Sequence, residues 1–245
     1  MNRPLLEIAA VSVAAALAAQ QGGADRLELC TGLEVGGLTP SLGLMALVRE
    51  RVRLPIHVLI RPRAGDFLYD DDEFDIMCRD IEQALALGCE GVVLGVLDAD
   101  GKVDVPRCRA LIGAAKGMDI TFHRAIDVCR DPSAALEELI ALGCNRVLTS
   151  GGASKAPAGA ANIRALIEQA AGRIEVLPGG GVTPENIASL AQATGADQFH
   201  ASAKRQLPGA MRFARGTLAD MEAGAWTSDV ALVRGLREAL VALPA

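Results

Sequence analysis

One pattern recurs four times along the chain and limits its fold more than any other feature. The segments QGGADRLELC, ALGCEGVVLG, ALGCNRVLTS and ATGADQFHAS each end a helical run at a glycine, pass a small and a polar residue, and enter a strand-like run. Glycine is the expected terminator, because helices commonly end on a left-handed residue and glycine has no Cβ to clash there. The terminators are Gly23, Gly88, Gly143 and Gly195, at intervals of 65, 55 and 52 residues. Each interval is about twice a single βα unit of roughly 25–30 residues. The missing strands lie between them, in LLEIAA, PIHVLIRP, DITFHRA and RIEVLPGGG. Most strands lead into an amphipathic helical run, such as EFDIMCRDIEQALALG or DPSAALEELIALG, the latter with Asp131 as N-cap and Pro132 at the first helical position.

Eight βα units predict an α/β fold, the TIM (β/α)8 barrel. A doubly wound open sheet would show fewer strands and a glycine-rich first turn, which EIAAVSVAAA lacks. There is no linker, low-complexity tract or break in composition, so residues 1–245 read as a single TIM-barrel domain.

Composition narrows the function. The chain is 51% hydrophobic but only 3% aromatic, and its net charge is -6, so it offers neither stacking platforms nor a basic face for nucleic acid. AAVSVAAALAA is too short to span a bilayer and has no basic leader, so no membrane partner is expected. The six cysteines, at 30, 78, 89, 108, 129 and 144, show no paired metal spacing and read as reduced thiols in a cytoplasmic protein.

Barrel active sites form where strands end and βα loops begin. Those ends carry Glu7, Glu28 with Cys30, Arg61 with Arg63, Asp98, His123 with Arg124 and Asp127, Thr149 with Ser150, the LPGGGV loop, and His200 with Ser202. Glu7, Glu28, Arg61 and His123 interrupt apolar strands, where an unpaired charge costs several kcal/mol, so they are expected to face the barrel interior near its mouth and pair there. A structural ion-pair network would explain them; so would a site drawing on several strands.

Glu7, Glu28, His123 and Asp127 are the candidates for acid/base work. His123 is expected to face inward as acid, base or metal ligand, with Arg124 over the top. Arg61, Arg63, Arg124, Ser202 and the backbone N–H groups of Gly179, Gly180 and Gly181 are the candidates for holding an anion, with Lys155 and Lys204 nearby. Thr183 is the expected N-cap of the following helix, and His57 a satisfied core histidine. Cys30 shares the Glu28 face, where a soft thiolate could hold Cu(I).

The segments LLEIAA, GADRLELC, GGLTPS, RPRAGDFLY, GVVLGVLDADGKVD, TFHRAIDVC, RVLTSGG and FHASA, over about residues 5–205, together resemble the CutC family of copper homeostasis proteins. The resemblance implies a cytoplasmic, self-associating TIM barrel, a homodimer or larger homo-oligomer, linked to copper(I), with Cys30 and Cys129 as metal candidates. It places Glu7, Glu28, Arg61, Arg63, His123, Arg124 and Asp127 at the mouth. LPGGGVTPENI departs from the family's usual loop but keeps its glycines. Two functions follow: copper binding in copper homeostasis, or an enzyme doing acid/base chemistry on a small anionic metabolite, phosphorylated or not. The resemblance favours the first; the scarcity of paired soft ligands weighs against it, and the convergence of charges favours the second.

Overall fold

The structure, a computed structural model, describes residues 3–213 and 224–243. Eight parallel strands alternate with helices: β1 (Leu5–Ala10), β2 (Arg26–Leu29), β3 (Ile56–Leu59), β4 (Gly91–Leu94), β5 (Asp119–Phe122), β6 (Arg146–Thr149), β7 (Glu175–Pro178) and β8 (Gln198–Ala201). Between them run α1 (Val13–Gly22), α2 (Leu42–Arg51), α3 (Asp71–Ala86), α4 (Val105–Ala114), α5 (Pro132–Leu142), α6 (Ala160–Ala170) and α7 (Ile187–Thr194). The strand order β7-β6-β5-β4-β3-β2-β1-β8 is that of a TIM barrel. β1 is paired on both sides, and among the described residues no ladder joins β7 to β8. An antiparallel hairpin, β9 (Lys204–Leu207) with β10 (Ala225–Ser228), stands between β8 and the last helix, α8 (Val230–Val241).

The four glycine terminators behave as the sequence predicts: Gly23, Gly88, Gly143 and Gly195 have φ of 91°, 71°, 80° and 75°. Asp131 caps α5 by accepting from the Ala134 N–H, and Asp70 with Glu73 closes a capping box on α3. The expected cap at Thr183 is displaced. Residues 184–186 form a turn, the Thr183 carbonyl accepts from the Asn186 and Ile187 N–H groups, and α7 starts at Ile187. No helix of the described residues is long and apolar enough to cross a membrane.

The core between barrel and helices is apolar, with Leu6, Ile8, Phe122 and Phe199 fully buried. The barrel interior is not. Buried side chains there include Glu7, Arg26, Glu28, His57, Thr121, His123 and His200, where barrels of this kind usually stack branched aliphatic residues. All three histidines owe their places to a glycine on a neighbouring strand or just beyond its end. A Cβ on Gly91 would lie 2.7 Å from the His57 ring, one on Gly95 would meet the His123 ring, and one on Gly179 would come 3.1 Å from the His200 Cβ.

Candidate active site

Register explains why the interior charges meet. Glu7 on β1 lies opposite Arg26 on β2 and opposite His200 on β8. The Arg26 Nε donates to Glu7 Oε2, and His200 Nδ1 is 2.8 Å from Glu7 Oε1. On the other side of the ring, His200 Nε2 stands 3.7 Å from Glu28 Oε2. Arg26, Glu28 and Cys30 alternate along one strand and so share its inner face. The result is a chain of groups, Arg26–Glu7–His200–Glu28, rising from the barrel interior to its mouth.

Burial would raise the Glu7 carboxyl, but Arg26 and the His200 bond together outweigh it and hold it well below the usual carboxylate range. Burial pushes Glu28 up to about 7, against the pull of His200 and with Glu7 adding to the rise. His200 is disfavoured as a cation by burial, yet Glu28 and Glu7 prevail and raise it. Glu28 accepts no hydrogen bond from any described residue, and it faces the mouth cavity of about 740 Å³.

That cavity is walled by Glu28, Cys30, Arg61, His123, Arg124, Asp127, Lys155, Gly180, Gly181, His200, Ser202 and Lys204, with Leu33, Val35, Leu59, Phe67 and Val128 among its apolar members. Most of the expected residues are therefore brought together, in roles the structure refines. Glu7 lies beneath the mouth, fully buried and outside the cavity wall. Arg63 is not at the mouth: it bonds Glu73 and Asp66 on the outer side of its loop. Arg61 is spent on backbone, its guanidinium donating to the Val35, Gly37 and Gly65 carbonyls, so it ties two wall loops together. Asp127 accepts from Arg124 Nε, the Thr149 hydroxyl, the Ser150 N–H and hydroxyl and the Gly152 N–H. Those donors outweigh burial and lower its pKa, leaving a committed anchor rather than a free base.

β5 ends at Phe122, and His123 opens a 3-10 turn over Arg124–Val128 with its side chain inward, as expected, and Arg124 above it. Its Nδ1 accepts from the Ala125 N–H at 3.2 Å, so the proton of the neutral ring sits on Nε2. Burial, then Arg61, push His123 down to about 3. It is uncharged near neutral pH, and its Nε2 has no partner among the described residues. His57 is neutral as well, pushed down to about 4 by burial, but it is not the satisfied core residue expected, since its Nδ1 also lacks a partner.

On the other side of the mouth, Gly180 and Gly181 take φ of 95° and 70°. Their N–H groups donate to no described acceptor. Gly179 instead packs against Leu148 and His200, and its N–H is used by the Thr149 carbonyl. The Lys155 stem lies over Gly181, and the Arg124 guanidinium carbon comes 3.5 Å from where a Gly180 Cβ would be.

The metal candidates are not assembled. Cys30 is in the cavity wall, but burial, then Glu28 and Glu34, raise its thiol well above the usual value. Cys129 lies outside that wall and donates to the Ala125 carbonyl. Among the described residues the group spaced for a metal ion is Glu7, Glu28 and His200, whose ligand atoms lie within 4.8 Å of one another. One imidazole with two hard carboxylates is a poor set for Cu(I), which favours thiolates and thioethers, and Glu7 is already held by Arg26 and His200. Arg26 and the central place of His200 escaped the sequence reading, although alternation already put Arg26 on the Glu28 face.

The model of the CutC family matches residues 4–205. A family protein CutC from Xanthomonas campestris is 52% identical over 235 residues, covering 96% of this chain and 98% of the relative. A human copper homeostasis protein cutC homolog is 46% identical over 218 residues, 89% of this chain and 80% of the relative. The crystal structure of a CutC from Streptococcus agalactiae superposes with a TM-score of 0.77 at 35% identity, covering 80% of this chain and 97% of that one.

Proposed function

This chain belongs to the CutC family, and we propose that it transfers a proton on a small anionic molecule held at the mouth of its barrel, in the cytoplasm. The observation that carries the reading is the chain Glu7–His200–Glu28, which opens into the cavity through an uncommitted carboxylate. Glu7 fixes the His200 ring through Nδ1, as a buried carboxylate orients a catalytic imidazole, and leaves Nε2 and Glu28 side by side facing the ligand. A proton taken by one can be returned by the other. The N–H groups of Gly180 and Gly181, with Lys155, Arg124 and Ser202, hold the anion. The fully buried and half-buried thiols, all six unpaired, support a reducing compartment.

Anion binding is tested by thermal unfolding in phosphate or sulfate. A ligand bound only by the folded state raises its stability by RT ln(1 + [L]/Kd). Protection is expected in wild type and in Glu28→Gln but not in Lys155→Ala; protection by neither anion would overturn the reading.

Copper as cargo is the second reading, favoured by the names of the relatives and by Cys30 in the cavity wall. Competition against a calibrated chelator under reducing conditions decides it. Tight, stoichiometric Cu(I) binding lost in Cys30→Ser would establish copper. Weak binding, or binding indifferent to that change, would leave the family's copper link without a thiol site in this chain. Self-association into a homo-oligomer, which family membership suggests, is checked by light scattering.

A further inference from the structure

We propose that the molecule acted on at this mouth has two unlike ends, a compact anionic group and an apolar body about the size of a phenyl ring, with its reacting atom between them over Glu28 and His200. The position of the reacting atom rests on the proton-transfer reading above; the two ends rest on the cavity wall itself.

Polar and apolar groups are mixed around the wall, as with Val182 beside Gly181 and Asp127 beside Val128, but its free donors and its exposed valines come from different loops. The loops after β6 and β7 present the free N–H groups of Gly180 and Gly181 and the ammonium of Lys155, which has no carboxylate within 4 Å among the described residues. The loop after β7 also brings the exposed Glu185 to the wall, but with Arg124 and Lys204 also lining it the cations outnumber that carboxylate, in a chain of net charge -6. The loops after β2, β3 and β5 present Leu33, Val35, Phe67 and Val128. Val35 and Val128 are 42% and 62% exposed. Apolar side chains gathered at the rim of a concave site mark a surface that binding covers. The sector is also pre-formed: Arg61 holds the carbonyls of Val35, Gly37 and Gly65 and lies 5.2 Å from the Phe67 ring centre, so little ordering is left for binding to supply.

A ligand with one kind of end uses only half of this wall. Inorganic phosphate would leave the valines wet, and a purely apolar molecule would cover the Gly180 and Gly181 N–H groups without giving them an acceptor. Glu28 and His200, on β2 and just inside the end of β8, lie on the floor between the sectors. The cavity, about 740 Å³, falls within the ~300–1,000 Å³ of small-molecule sites.

The test is calorimetric titration with inorganic phosphate, phenyl phosphate, acetate, phenylacetate and benzyl alcohol, on wild type, Lys155→Ala and the double variant Val35→Ser/Val128→Ser. The ring is expected to tighten phosphate or carboxylate binding at least tenfold, and benzyl alcohol to bind more weakly than either aromatic anion. The valine variant should lose that tenfold gain and keep its phosphate affinity; Lys155→Ala should weaken every anion. The tighter of phenyl phosphate and phenylacetate identifies the anionic group. Phosphate binding that a ring does not improve, or a gain that survives the valine variant, would overturn the two-ended ligand and leave the anion site standing. Binding of no anion at all would bring down both. Both valines are solvent-facing, and thermal unfolding of the variants separates lost binding from lost fold.

Discussion

Gly95→Ala is the most informative single change in the barrel. Gly95 follows β4 and does not have a positive φ, so its backbone accepts alanine. Its new Cβ would lie 2.5 Å from His123 Nδ1, closer still to Cε1, and 3.1 Å from the Ala125 Cβ. The imidazole must therefore move, and the Ala125 N–H loses its acceptor. Losing that hydrogen bond costs about 1 kcal/mol, and overpacking adds about 1–3 kcal/mol. The reduced freedom of the unfolded chain returns roughly 0.4–1 kcal/mol. A net loss of about 2 kcal/mol lowers Tm by roughly 4–8 °C in a domain of this size. Gly113→Ala is the control: it lies in α4 with nothing within 4 Å of a new Cβ, and it should gain about 0.5–1 kcal/mol. The assay is denaturant unfolding of both variants and of Gly95→Ala in a His123→Ala background. Once the ring is gone, the Gly95 change should cost less than about 0.5 kcal/mol. An equal cost in both backgrounds would refute the steric argument.

Stability should fall as pH drops from 6.5 to 4.5. Unfolded His57 and His123 take up protons there, while the folded rings, pushed down to about 4 and about 3, stay neutral over most of the window. Glu28 runs the other way, since its folded carboxyl, near 7, keeps a proton the unfolded one releases above about 4.5. Two histidines against one glutamate leave a slope of about 1.4 kcal/mol per pH unit, and Glu28→Gln should steepen it toward about 2.8; a shallower slope in that variant would contradict the assignment. Arg26→Met strips Glu7 of its cation and should cost about 3–5 kcal/mol by denaturant midpoint, most of it recovered when Glu7→Gln is added. Arg61→Lys cannot span three carbonyls, so hydrogen exchange should quicken at residues 33–37 and 63–67 while the strands stay protected; unchanged loops would show that the ties are dispensable.

The barrel was legible because its punctuation is chemical: a left-handed glycine ends a helix wherever the chain must turn back into a strand, and four such signals at double-unit spacing fix the count of eight. The buried charges were legible because apolar strands make them conspicuous. What pairs with what was not. Glu7 meets Arg26 and His200 only through the register of β1 with both neighbours, a non-local fact that no single segment carries. Arg61 and Arg63 are two residues apart on one loop, yet the first points into the wall and the second outward to Glu73, a choice made by the carbonyls of a loop 24 and 26 residues upstream. Thiols separated by 99 residues looked equivalent as metal ligands; the structure puts one in the cavity wall and the other outside it.

The missing ladder between β7 and β8 gives the barrel a seam, the one line along which its circumference can widen without a backbone hydrogen bond being broken among the described residues. Gly180 and Gly181 follow the strand on one bank, and His200 and Ser202 belong to the other. A ligand gripping both banks is mechanically a clasp on an open bracelet. The hoop would be stiffest when occupied, and release of the ligand would coincide with the moment at which the strands are freest to part.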